Sequence, residues 1–576
     1  MAEETMLRRS VIVYWLRPVG LAFAPLIVGL TISLIGIACL AAMSLASGDD
    51  VRVANAAMKG DKEAVRALLK QAADVNAAQG DGMTALHWAA MNRDAEMAQI
   101  LLYAGANVRA ATRIGGYSPL FMAAKSGTPS VITLLLKAGA DAKHKAGDGL
   151  TPLMMASMAG DKESVRLLIE HGADVNGKET ENGQTPLIFA ASFDRPDVIE
   201  ELIKHGADVN VGTPVRPPAA LRTTVVPPVP GQPQQQQQQQ PQQDPNSRGG
   251  GNPRGGLTPL MYAARDGNTA AVRTLVKSGA KLNLGSADKS TALLLATING
   301  HFDVAKYLVE NHADVNMTSA DGAAPLYSVV HTQWSRQSFH PQPSIKWEQT
   351  TYLDLMKMML DEGADPNARL TKTLWYSSYG YVYAAASEIG TTAFFKCAEV
   401  ADIDGMKLLL SRGADPTLTN KDGVNAVLIA SGAGTHGNDD VLAAYGRLAA
   451  VRYLVEELHF DVNSADNGTT LRGEIARQGP PPDPNQPQQQ QQQQPNPFGG
   501  MSAGGFTALH NAASRGDNEM ILYLVSHGAD VNATTKTGIT IVDMANGPRQ
   551  RVQPYPDTIA LLEMLGARNS HKCVSC

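Results

Sequence analysis

Cysteine is scarce in this chain. Only four occur in 576 residues, Cys39, Cys397, Cys573 and Cys576, so no disulfide framework is available and the core must hold itself together without staples. Aromatic residues make up 5% of the chain, and 49 basic residues face 55 acidic ones for a net charge of −6. That balance gives no electrostatic footprint for nucleic acid. No P-loop, HExxH or nucleophile-elbow motif is present, and the carboxylates form no pair that a simple periodicity does not already explain. The residue pattern therefore points to no catalytic residues, no metal site and no small-molecule substrate, and so to a chain that is not an enzyme.

The longest uncharged run, 18–48, contains VGLAFAPLIVGLTISLIGIACLAAMSLA. A helix of that length spans a bilayer core of ~30 Å, with some tilt or a kink at Pro25 to spare. Arg8, Arg9 and Arg17 precede it and Asp49 and Asp50 follow, which puts 1–17 in the cytoplasm and the bulk of the chain on the far side, expected to be the periplasm. Ser44-Leu45-Ala46 also reads as a signal-peptide cleavage site, so the run is either a retained anchor or a cleaved signal. A lipid anchor at Cys39 is a weaker reading, because Gly36 stands where an aliphatic residue is expected. The expected location is membrane-anchored or secreted, with membrane contact through this N-terminal helix.

What the chain has in abundance is repetition. GADVN or a close relative recurs at Asp74, Asn107, Asp141, Asp174 and Asp208, in steps of 33, 34, 33 and 34 residues. The same position continues at Lys281, Asp314, Asp365, Asp415, Asp461, Asp530 and Arg568, making twelve units in which each longer step is one period plus an insertion. Upstream of it lies a second phrase, such as TALH at Thr84, SPLF at Ser118, TPLM at Thr151 and TPLI at Thr185. Its Thr or Ser is suited to cap a helix, its Pro sits at a first helical position that needs no N–H, and its Leu faces inward. The Ala pair that follows (Ala89-Ala90, Ala123-Ala124) lets neighbouring helices approach closely, and a Gly ends the helix. A second amphipathic helix follows, as in ESVRLLIEHG, with Val165, Leu168 and Ile169 on one stripe.

This 33-residue period, with T-P-L-H-x-A phrases and GAD-type ends, resembles the ankyrin repeat family over roughly Val51 to Arg568, insertions apart. The resemblance implies an all-α solenoid of helix-turn-helix units with β-turn fingers, here preceded by an N-terminal hydrophobic helix. It also implies a non-enzymatic interaction scaffold that holds a protein partner on its concave face and fingers. His87 and His510, in the fourth position of TALH, are then local hydrogen-bonding residues, and Cys397 fills a small-residue slot of a helix core. Gly432, Gly434 and Gly437 spell GxGxxG, but after a helix rather than a strand, so they form an inter-helix loop and no dinucleotide site. Asn316, Asn467 and Asn532 head sequons, two of them products of the repeat.

The organisation read from the sequence is repeats one to five over 51–210, a Pro/Gln/Gly-rich insertion at 211–256, and repeats six to ten over 257–468. A Pro/Gln-rich insertion at 469–504, repeats eleven and twelve over 505–568 and a tail at 569–576 complete it. Both Gln-rich segments bury nothing and are expected to be disordered loops at finger tips, either with the stack continuing past them or with a flexible break. Two further insertions, at 331–350 and 370–390, hold three of the five tryptophans. Trp375, Tyr376, Tyr379, Tyr381, Trp334 and Trp347 are the candidate partner-binding residues, because aromatic side chains are enriched in binding patches. The alternative is a flap in which they pack on one another. The tail, HKCVSC, offers two thiols at haem-attachment spacing, Cys573 and Cys576, without the following His. Haem c is expected only if a longer parent chain supplies that His, which would make the stack a module of an electron-transfer protein. For the sequence in hand no cofactor is expected.

Overall fold

The computed structural model describes residues 51–217, 253–334, 345–372, 374, 388–433, 445–468, 504–546 and 554–570. The apolar run at 18–48 and the body of both Gln-rich insertions lie outside these residues. So do Trp375, Tyr376, Tyr379, Tyr381, Cys573 and Cys576. Among the described residues no helix is long and apolar enough to cross a membrane.

The described chain is helical and falls into twelve helix pairs, from Arg52–Met58 with Lys62–Lys70 to Ile541–Ala545 with Pro556–Met564. This is the all-α solenoid that the repeat phrases imply. The opening phrase builds the first helix of each unit as its chemistry dictates. The Ser118 hydroxyl accepts the Phe121 amide at 3.2 Å and the Thr151 hydroxyl the Met154 amide at 3.3 Å, and the prolines sit at the first helical position. Unit eight replaces the Thr with Ala324 and has no side-chain cap there. The Leu of the phrase is the centre of the core: Leu86, Leu120, Leu153, Leu187 and Leu260 are each at most 1% exposed. Each such side chain contributes ~1.5–3 kcal/mol of burial. First helices pack on first helices and second on second, so every core layer is shared between neighbouring units.

Two hydrogen-bond ladders join the units. In the first, the Asn of ADVN reaches forward: Asn76 donates to the Gly105 carbonyl at 3.3 Å and accepts the Asn107 amide at 2.6 Å. Asn176 makes the same pair with Gly206 and Asp208, and Asn316 with Gly363 and Asp365. The carboxamide is suited to this link because it carries a donor and an acceptor on one carbon. Arg109 takes the slot in unit two and reproduces the donor half, toward the Gly139 carbonyl at 3.4 Å. In the second ladder the fingers bond in series, Arg113 to Asp81 at 2.8 Å, Gly147 to Gly115 at 2.7 Å and Thr180 to Asp148 at 3.1 Å, all through backbone. Gly82 is held at φ 89° where a Cβ would collide with the backbone of Arg113 on the next finger, so the close approach requires glycine.

The first ladder also runs past both Gln-rich insertions. Asn210 accepts the Lys281 amide at 2.8 Å, and Asn463 donates to the Gly528 carbonyl at 2.9 Å and accepts the Asp530 amide at 2.8 Å. Helix Pro186–Ser192 packs on Pro259–Arg265, and Ala426–Ala430 on Ala508–Ala513. Each insertion leaves from a finger whose base is closed: Arg216 and Arg254 exchange backbone hydrogen bonds of 2.7 and 2.9 Å, and Asp466 pairs with Gly505 and Phe506 at 3.0 and 3.2 Å. Unit ten shows a local adjustment. Ten residues separate Val451 from Asp461 where nine separate Val165 from Asp174, and the extra residue is absorbed as a π-helical turn at Tyr453–Glu457.

Candidate functional site

Position five of the first-helix phrase, counted from its Thr or Ser, lies at the edge of the shared core, where Met122, Met155 and Phe189 also line a groove beside the fingers. In units two to seven it is occupied by Trp88, Met122, Met155, Phe189, Tyr262 and Leu295, an apolar series at the repeat period apart from the first insertion, whereas units eight, nine and eleven place Ser328, Lys396 and Asn511 there. Three positions further on stand Met91, Lys125 and Met158, Met91 being 39% exposed. Stacked side by side, these first helices lay down the floor of a groove of about 420 Å³ that crosses units two to five. Met91, Phe121, Met122, Met155, Met158 and Phe189 form that floor. Four of the six are methionines, whose unbranched thioether chains adapt to irregular apolar shapes.

The fingers form the wall, carrying Tyr117, Asp148, Glu179 and Glu181. Glu179 is 6% exposed and its carboxylate accepts three backbone amides, from Glu181 at 2.6 Å, Asn182 at 2.7 Å and Gln184 at 2.9 Å. It thus ties the fifth finger into a fixed loop. Asp148 orders the fourth finger in a related way, accepting the Leu150 amide at 3.1 Å and the Tyr117 hydroxyl at 3.0 Å. That hydrogen bond to a carboxylate, together with burial, raises the Tyr117 pKa above the ordinary phenol value. Tyr117 in turn stacks on Phe121, ring centres 4.4 Å apart. Floor and wall are therefore preorganised, with apolar surface below and carboxylates above.

The two TALH histidines brace neighbouring units. His87 Nε2 donates to the Tyr117 carbonyl at 2.9 Å while Nδ1 accepts the Thr84 amide at 3.1 Å. Burial lowers its pKa, and pushes His510, held by Thr507 and Ile539 in the same manner, down to about 4. Both are neutral donors at neutral pH. Cys397 is a free, fully buried thiol whose pKa burial pushes well up, so it is not poised as a thiolate. Of the GxGxxG glycines Gly432 is described and follows helix Ala426–Ala430; Gly434 and Gly437 lie outside the described residues. Among the described residues no group of His, Cys, Asp and Glu is arranged to hold a metal ion.

The two described aromatic candidates sit in different surroundings. Trp334 is half-buried, edge-on to Tyr352 at 5.7 Å, with its indole N–H donated to Asp402 at 3.2 Å. Asp402 also accepts the Tyr352 hydroxyl at 3.1 Å and, as N-cap of helix Ile403–Leu410, the Gly405 amide at 2.9 Å. Burial raises its pKa against these three donors. Trp347 stands on the short 3₁₀ turn Ile345–Trp347 and is 81% exposed. Its turn is fastened by the next residue, Glu348, which accepts the Asp303 amide at 2.7 Å while Asp303 accepts the Thr350 amide and hydroxyl at 2.9 and 2.6 Å. The groove of units two to five escapes a reading that weights dense aromatic insertions. The available signal is the run of large apolar residues at position five, visible once the units are aligned.

Family models of ankyrin repeats match over much of the described chain. One described as ankyrin repeats (3 copies) covers 120–213 and 236–319, and two described as ankyrin repeats (many copies) cover 53–102 and 502–545. A search of curated proteins returns no match. Among solved structures similar to the chain is the human ASB11 ankyrin repeat domain, at 25% identity and a TM-score of 0.33, covering 42% of this chain and 90% of that one. With twelve helix pairs, the TPL caps and the Asn ladder in place, this protein belongs to the ankyrin repeat family.

Proposed function

We propose that this protein is a non-enzymatic scaffold that holds a protein partner in the groove of units two to five. Ankyrin repeats are interaction modules in general; the finer assignment rests on the Met- and Phe-lined floor beneath ordered fingers. That combination is the anatomy of a protein-binding patch, an apolar centre with a polar rim. Trp347, exposed on a fastened turn, supports a second contact at the aromatic insertions, in which Trp375, Tyr376, Tyr379 and Tyr381 take part. The basic-before, acidic-after flanks of 18–48 support export with a retained membrane tether, and hence a partner outside the cytoplasm. A photo-crosslinking residue placed at Met158 in the full chain, in its native membrane, should trap a discrete partner. The same residue at Tyr103, 97% exposed on a second helix, should not. Equal trapping at the two positions, or none at Met158, would refute the groove assignment.

A further inference from the structure

We infer that the groove takes a cationic amphipathic segment, one presenting Leu- or Met-like side chains to the floor and Lys or Arg to the wall. This rests on the groove being the binding site. The ionisable side chains lining it, tyrosine aside, are three carboxylates, Asp148, Glu179 and Glu181, and one ammonium, Lys125. The carboxylates stand on two adjacent fingers, so the negative charge is concentrated along one wall rather than scattered. Two of them are fixed in place by the hydrogen bonds that order the fingers, so the wall keeps its charge without reorganising when the groove fills. Glu181 is exposed at the finger tip and is placed to meet an incoming cation.

The floor narrows the class further. A purely polar basic peptide would leave Met91, Met158 and Phe189 without apolar partners, and a neutral apolar segment would draw nothing from the wall. Met91 and Met158, the two floor methionines open to solvent, accept aliphatic side chains of varied shape over the buried Met122 and Met155, which suits a segment recognised by its amphipathic pattern rather than by one residue. First helices spaced at ~10 Å give units two to five a floor of ~30 Å, the length of an α-helix of about 20 residues.

The test uses a fluorescent Leu/Lys amphipathic peptide of about that length, its Leu/Glu counterpart, and the full chain. The Leu/Lys peptide should bind, more weakly as salt is raised, and the Leu/Glu peptide should not. Glu181→Lys should weaken Leu/Lys binding by about tenfold, and Met158→Lys should weaken it at least as much. Glu519→Lys, exposed on helix Asn518–Ser526 far from the groove, should leave it unchanged. Equal loss from Glu519→Lys would assign the attraction to net charge and overturn the inference. Binding of the Leu/Glu peptide that is sensitive to Met158→Lys would also overturn it, while leaving the groove assignment standing. Binding by neither peptide would overturn it too, and crosslinking from Met158 then decides whether the groove assignment falls with it.

Discussion

Asp402 should be the most consequential side chain in units eight and nine, because three elements converge on its carboxylate. It caps helix Ile403–Leu410 through the Gly405 amide, and it receives the indole of Trp334 and the hydroxyl of Tyr352 from the preceding unit. Asp402→Ala removes a cap, worth ~1 kcal/mol, and leaves two part-buried donors without their acceptor, ~1 kcal/mol or more each. Burial already raises the Asp402 pKa, so losing that buried charge offsets part of the sum. The expected net destabilisation is about 2–3 kcal/mol. Asp402→Asn keeps the capping oxygen but turns an amide N–H₂ toward the Trp334 N–H, and should cost about 1 kcal/mol. Because a solenoid opens locally, the loss belongs to the neighbourhood of the mutation. Hydrogen exchange by mass spectrometry should therefore show lost protection in Pro325–Gln333, Tyr352–Asp361 and Ile403–Leu410, with units one to four unaffected. Equal effects of the two variants, or protection lost evenly along the chain, would refute the assignment.

The buried histidines should make the stack weaker in mild acid. His510 titrates at about 4 folded against ~6.5 unfolded, so the unfolded chain alone binds its proton between these values and stability falls as pH drops. Its share approaches ~1.4 kcal/mol per pH unit once the unfolded imidazole is mostly protonated, about 1.6 kcal/mol from pH 6.5 to 5, and urea melts of His510→Gln should have a shallower pH slope there than wild type. The ladder residue Asn463 spans the second insertion with two hydrogen bonds; Asn463→Ala should cost about 1–2 kcal/mol and speed exchange in Asn518–Ser526. Arg93 is exposed and takes the helix-ending glycine slot at φ 61°. Arg93→Gly should raise stability by about 0.5–1 kcal/mol, relief of left-handed strain outweighing the extra freedom of the unfolded chain. A lower melting temperature for that variant would contradict the strain argument.

The helix pairs were legible because a repeat states the same local rule many times. Thr or Ser before Pro-Leu names the cap and the core residue at once, and Leu120, Leu153 and Leu187 are buried as that rule requires. Even the π-helical turn of unit ten is countable as one surplus residue between Val451 and Asp461. The neighbourhood of Trp334 was not legible in this way, since its partner Asp402 lies 68 residues away and the pairing depends on how unit nine stacks on unit eight. The Asn ladder was visible as a phrase, but its reciprocal geometry depends on the next unit's backbone. The groove lies between these cases. Met122, Met155 and Phe189 recur at the period, yet which face of a helix remains open is decided by the fingers above it, and those by Glu179 and Asp148.

The central claim is that the groove of units two to five is where a protein partner docks. It is tested most directly by the affinity of the partner trapped at Met158, measured against the full chain carrying Phe189→Lys or Tyr103→Lys. Phe189 is half-buried on the floor and Tyr103 fully exposed away from it. Phe189→Lys should weaken binding by about a hundredfold, as for an apolar hot-spot residue, with the chain still folded by circular dichroism though melting somewhat lower, and Tyr103→Lys should have no effect. Unaltered affinity for Phe189→Lys, or an equal loss from Tyr103→Lys, would contradict the account.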